Sequence, residues 1–272
     1  MTVNGKEIGA SIGKGFRLVM LAAAFAAQHA AAADVAAQLA SPSALFSAAD
    51  AQAVAAHQPK RADFMKERAS VDARQTADWV VDSNDNHAMP FVIVDKSDAK
   101  VYVFDAQGRL SGAAPALLGL AIGDDSVPGI GDRPMSQILP EERTTPAGRF
   151  VAEPGHNSHG VDILWVDYDA AISLHRVVTN IPKDRRLERL AAASPLEHRI
   201  SYGCINVPAR FYDKVVRPAF TRRKGIVYVL PETRSARAVF ASYDVEAQHE
   251  LPQTVSQPVL AQTAVPLGSV AK

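Results

Sequence analysis

Phe91-Val92-Ile93-Val94-Asp95 and Val101-Tyr102-Val103-Phe104-Asp105 are two runs of β-branched and aromatic residues separated by Lys96-Ser97-Asp98-Ala99-Lys100. Runs of this composition, bounded by polar turn-forming residues, read as strands joined by a hairpin loop. Ala106-Gln107-Gly108 supplies a second turn, so the segment predicts an antiparallel meander. Outward from it, residues 113–122, 162–166, 171–178 and Gly225-Ile226-Val227-Tyr228-Val229-Leu230 have strand texture. Within this region helical periodicity falls at 182–193, a basic surface helix, and at 207–220. The expected class is mainly β with a few short helices.

At 272 residues, with 47% hydrophobic and 21% charged content, the chain can bury a sizeable core. Lys14 and Arg17 precede the apolar run 18–27, and an alanine-rich stretch follows to Ala33. That is the layout of a signal peptide over 1–33, since about 10 apolar residues fall short of the roughly 20 that span a bilayer. An uncleaved anchor is the alternative. Residues 34–78 read as an Ala-rich linker with short helices, 79–232 as the catalytic domain, and 233–272 as a disordered tail. The formal charge is zero, and after 1–33 there are 26 basic residues against 28 acidic, which leaves no basic field for nucleic acid.

Cys204 is the only cysteine. One thiol forms no internal disulfide, and in an oxidising compartment an idle one risks mispairing, so its presence in an exported chain points to use. A buried, inert thiol is the alternative. Ser201, Gly203 and Asn206 are small or turn-forming, and Pro208 suits the first turn of a helix. Cys204 is therefore predicted just ahead of a helix N-terminus, where the dipole would favour the thiolate and bring the thiol below about 8.5.

Ser201-Tyr202-Gly203-Cys204-Ile205-Asn206 resembles the serine, histidine, glycine, cysteine, hydrophobic, asparagine signature of the L,D-transpeptidase (YkuD-type) catalytic domain. Thr145-Pro146-Ala147-Gly148-Arg149-Phe150 is similar to that family's threonine, proline, glycine turn, and Ile172-Ser173-Leu174-His175 to the strand with its histidine. The resemblance covers about residues 79–232 and implies an L,D-transpeptidase-like β-sandwich, exported to the periplasm and acting on peptidoglycan. Two departures stand out. Tyr202 replaces a histidine, and the interval from His175 to Ser201 is lengthened by roughly the basic helix.

The residue types give cysteine acyl transfer, with His175 taking the thiol proton, Cys204 attacking a carbonyl, and a thioester forming. The backbone N–H groups of Gly203 and Cys204 are the expected oxyanion donors. Ser201 is expected to fix the loop, Asn206 to cap the helix or orient the loop, and His198 stands in reserve as base. By resemblance the donor is a peptidoglycan tetrapeptide stem, cut between the L-centre of diaminopimelate and D-alanine, and the acceptor an amine of a second stem or a lipoprotein. Arg176, Arg199 and Arg210 are candidates to clamp its carboxylates. No cofactor is implied. Competing readings are an impaired, peptidoglycan-binding relative and a periplasmic thiol peptidase with another substrate.

The remaining features read blandly. His156-x-x-His159 lacks a third metal ligand, the acids of 123–143 are expected to be solvated on a mobile flap, and Trp79 and Trp165 are expected in packing.

Overall fold

The computed structural model describes residues 58–249. The predicted signal peptide, residues 34–57 and residues 250–272 lie outside that range. The strands are β1 (Phe91–Asp95), β2 (Lys100–Phe104), β3 (Leu110–Pro115), β4 (Leu118–Gly119), β5 (Gly148–His156), β6 (Asp162–Asp167), β7 (Ile172–Arg176), β8 (Arg199–Ser201), β9 (Ile205–Val207) and β10 (Gly225–Val229). The helices are α1 (Val71–Ser83), α2 (Arg186–Leu190), α3, α4 (Ala236–Phe240) and α5 (Val245–His249). In α3, Ala209–Phe211 and Arg217–Ala219 flank a π-helical stretch, Tyr212–Val216. Pro218 has no N–H to give the preceding turn, a fit with the widened stretch before it.

The mainly β class is what the chain adopts. One sheet runs β3-β2-β1-β10-β5-β6-β7-β9, and β4 pairs with β8 in a second. The predicted meander is β1-β2-β3, antiparallel throughout. The run expected as one strand over 113–122 divides into the end of β3 and the short β4. Beyond β3, Leu117 exchanges both backbone hydrogen bonds with Asn206 of β9, at 2.8 and 2.9 Å. Leu117 lies two residues past the end of edge strand β3 and Asn206 lies on edge strand β9, so the sheet curls until its two edges approach. Curling of this kind covers edges that would otherwise template aggregation.

Alternation along the strands makes two cores. Val92, Val94, Val101, Val103, Val227 and Val229 join Leu164, Leu174, Ile205 and Val207 inside the curl, where Tyr212 and Val216 of α3 and Phe220 just past its end close it. The opposite residues of the same central strands, Phe91, Ile93, Tyr102, Phe104, Ile226 and Tyr228, pack under α1, α4 and α5. That second core includes Phe64, Trp79, Phe240 and Val245. The packed body therefore extends beyond the expected 79–232 at both ends, because α1 crosses the 78/79 boundary and α4 and α5 lie within the expected tail. α1 is defined by its caps: Ser70 Oγ accepts from Ala73 N–H at 3.0 Å, and Asn84 takes the left-handed conformation past its end.

Candidate active site

β7 alternates Ile172 and Leu174 into the core with Ser173 and His175 on the outer face. β9 runs parallel beside it, with Leu174 opposite Ile205 and His175 opposite Asn206. One step back along that register, Cys204 falls beside Ser173, and the two side chains are 3.6 Å apart, Oγ to Sγ. Cys204 Sγ also lies 3.6 Å from the Ala171 carbonyl. His175, next along the same face of β7, is near enough for its imidazole and the thiol to shift each other's proton affinity. Its Nδ1 is 2.7 Å from the Arg176 carbonyl oxygen. A carbonyl only accepts, so Nδ1 carries the proton and Nε2 is left as the proton acceptor of the ring.

The electrostatics of the pair are mutual. Burial pushes the Cys204 thiol up, but the hydrogen bond and charge of His175, with help from Ser173, outweigh it and bring the thiol below its ordinary value. Burial pushes His175 down, while Cys204 and the Arg176 carbonyl raise it, with a net upward direction. Arg186 opposes that rise through its charge.

The origin of the thiol's shift differs from the sequence expectation. Strand β9 stands between Cys204 and α3, so the nucleophile candidate does not sit at a helix N-terminus. A three-residue strand is too short to leave a pattern, and Pro208 ahead of α3 pulled the expected helix start too close. Asn206 likewise is a strand residue and not a helix cap: its Nδ2 donates to the Cys204 carbonyl at 3.1 Å, and its Oδ1 accepts from Arg186 Nη1 at 3.0 Å.

The loop is held from four sides. Ser201 Oγ donates to the Cys204 carbonyl at 2.7 Å and accepts from Gly203 N–H at 3.1 Å. That second bond uses the N–H expected as one of two oxyanion donors. Gly203 has φ 127°, and a Cβ there would lie 2.6 Å from both Ile172 Cδ1 and the Thr144 carbonyl oxygen, so only glycine fits. Thr145, fully buried, accepts from Gly119 N–H at 2.9 Å and donates to the Gly203 carbonyl at 2.8 Å. The Thr-Pro turn is thus joined to the cysteine loop. Tyr202, in the place of the histidine, lies under Arg143, whose guanidinium carbon is 3.9 Å from the ring centroid.

Arg143 also donates to the Ile138 carbonyl from Nε and Nη2, at 3.2 and 3.0 Å. The flap expected over 123–143 is therefore pinned where it ends, and at Gly131 it closes on the β6–β7 turn, a Cβ there falling 2.4 Å from the Asp169 carbonyl oxygen. Its base is pinned too. Asp124, expected as a solvated acid, is buried and accepts from Lys96 Nζ at 2.8 Å, while Lys96 also donates to the carbonyls of Gly123 and Thr145 at 2.5 and 3.0 Å. Burial pushes Asp124 up, yet the hydrogen bonds of Lys96, Thr233 and the Glu232 and Thr233 amides hold it well below the usual carboxylate range.

The arginines separate. Arg199 is buried, ion-paired with Glu232 and donating to the Lys96 carbonyl, so its fork is used internally. Arg176 binds Asp162 and Asp213 and covers the Tyr212 ring at 4.3 Å, so it braces β7 against α3. Their carboxylate partners are distant in sequence, which is why neither pairing was legible. Arg210 is exposed at the start of α3. His198 is buried with its ring nitrogens 3.1 Å from the Ala116 and Ala192 carbonyl oxygens, away from the reserve role. Two site residues were missed. Ser173 follows from the two-residue spacing to His175 on one strand, and Arg186 comes from the insertion read only as a spacer.

No family model matches the chain, and no curated protein does. The chain is similar to solved L,D-transpeptidases. The one from Mycobacterium tuberculosis H37Rv is 16% identical with a TM-score of 0.31, over 52% of this chain and 57% of that one. The C442S mutant of the Enterococcus faecium enzyme is 15% identical with a TM-score of 0.30, over 52% and 50%. Pgp2, a helical cell shape determining protein from Campylobacter jejuni, is 15% identical with a TM-score of 0.36, over 54% of this chain and 49% of Pgp2. The chain thus spans about half the length of that protein. Among the described residues no helix is long and apolar enough to cross a membrane.

Proposed function

We propose that this chain is an exported cysteine acyltransferase, an L,D-transpeptidase acting on peptidoglycan stem peptides in the periplasm. The observation that carries the reading is the His175–Cys204 pair, in which the Arg176 carbonyl holds the tautomer that leaves Nε2 free to take the thiol proton. His175 accepts the proton from Cys204 Sγ, and the thiolate attacks the carbonyl carbon on the L-centre of diaminopimelate. The imidazolium gives the proton to the departing amine of D-alanine as the C–N bond breaks, leaving a thioester. An amine of a second stem, or of a lipoprotein, then attacks that carbonyl and loses a proton to His175. Collapse forms the new amide and expels the thiolate, which recovers its proton.

Gly203 N–H is engaged by Ser201, so the Cys204 N–H is the oxyanion donor of this scheme. Arg186, whose Nε pairs with Asp184 and whose Nη1 donates to Asn206, takes the carboxylate-binding role first given to Arg176 and Arg199 with the rest of its fork, and Arg210 is an outer contact. A second reading, a relative that binds stems without cutting them, is favoured by the same Gly203 engagement, which leaves the oxyanion site a donor short.

Intact-mass measurement after incubation with a carbapenem tests the proposal. The expected result is one covalent adduct on the wild-type protein and none on Cys204→Ser, together with D-alanine release from a disaccharide-tetrapeptide. Absence of both adduct and release, with the peptide still bound, selects the second reading.

A further inference from the structure

Trp165 and Tyr168 have no part in the chemistry above, yet they stand beside it. Trp165 is directly opposite Ser173 across β6 and β7. Residues paired in this way put their side chains on one face of a sheet, so the indole shares its face with the Ser173–Cys204 contact. On its other side the indole leans over Gly155 of β5, where a Cβ would fall 2.6 Å from Cδ1 and 2.9 Å from Nε1. The missing side chain lets the ring lie down. Tyr168 stacks on it, with centroids 4.6 Å apart and planes 24° apart, and is itself 61% exposed. The irregularity in the β6–β7 register between Trp165 and Asp167 accompanies this re-aimed turn. The packing role expected of Trp165 thus belongs to Trp79 alone, which lies in the second core.

We propose that Tyr168, backed by Trp165, forms a carbohydrate platform that receives the glycan next to the stem peptide being acylated; the choice of occupant rests on the acyl-transfer reading. The C–H face of a pyranose packs on an aromatic ring, while its equatorial hydroxyls seek acceptors at the rim. Asp169, exposed on the turn after Tyr168, provides a carboxylate there, and Glu153, paired with Trp165 on the same face, provides a second that also holds Lys224 at 3.1 Å. The spacing fits as well. Cys204 precedes β9 and Trp165 lies on β6, two strands away in the sheet, about 10 Å. Three stem residues separate the reacting carbonyl from the sugar in a tetrapeptide donor, and three extended residues reach roughly 10–11 Å.

Titration of the Cys204→Ser protein with chitotetraose, followed by tryptophan fluorescence, is the test. Trp79 is 6% exposed, so the change reports on Trp165. The expected result is saturable quenching that weakens at least about ten-fold in Tyr168→Ala, a substitution at an exposed site. No saturable change, or equal binding by the Tyr168→Ala protein, overturns the platform. The outcome is separable from the acyl-transfer reading. Chitotetraose binding without any Cys204 adduct keeps the platform and removes the enzyme; an adduct without sugar binding does the reverse.

Discussion

The centre of the sheet and its far wing use the same alternating strands to different ends. β1, β2 and β10 are buried on both faces, valines toward α3 and aromatics toward α1. β5, β6 and β7 bury one face fully and the other only in part, where Val151 is exposed, Trp165 and His175 are half-buried and Ser173 is covered. Burial on both sides leaves no room for a substrate, while a strand with one free face can hold chemistry in a fixed register. The central strands supply the rigidity, and the wing carries the candidate site.

The largest effect that sharpens this contrast is on stability. Phe91 is fully buried, stacked on Phe104 at 4.7 Å and edge-on to Tyr228 at 6.1 Å. Phe91→Ala is expected to cost about 3–5 kcal/mol by urea denaturation. Val151→Ala, at a residue 52% exposed on β5, is expected to cost under about 0.5 kcal/mol. Equal losses would erase the distinction between the halves.

Next is the seam. Lys96 follows β1 and holds the flap base through Asp124. Lys96→Met leaves that carboxylate buried without its ammonium, at a cost of about 3 kcal/mol near neutral pH. The sign with pH follows from the depressed Asp124. Its contribution is complete above the ordinary aspartate value of about 3.9 and is lost as pH falls through the lower folded value. The gap between wild type and variant should therefore narrow in acid, as read from melting temperatures across pH. A gap independent of pH would mean the pair contributes through packing alone.

The two halves also differ in how much the sequence disclosed. Phe91 to Phe104 announced strands because burial on both faces demands an unbroken apolar run. His175 and Cys204 were legible as a candidate pair from residue type and order, and β7 and β9 set their strands side by side. Their surroundings were not. β9 is three residues long, Asn206 and Arg186 meet from separate segments, and Lys96 in a hairpin loop gave no sign that Asp124, 28 residues later, would bury it. The helices after Thr233 were hidden by weak periodicity, although Phe240 and Val245 complete a core begun by Phe64. Composition also cannot separate Trp79, whose ring fills a core, from Trp165, whose ring packs on a glycine and a tyrosine at the surface.

The central claim is that His175 ionises Cys204, and the pH profile of Cys204 alkylation by iodoacetamide tests it most directly. In the wild-type protein, reactivity should hold to pH values below the ordinary thiol range of about 8.5 and fall only as the thiolate is protonated. In His175→Ala the profile should move above that range, since burial alone pushes the thiol up, with reactivity at pH 7 lower by about ten-fold or more. Superimposable profiles for the two proteins would contradict the account.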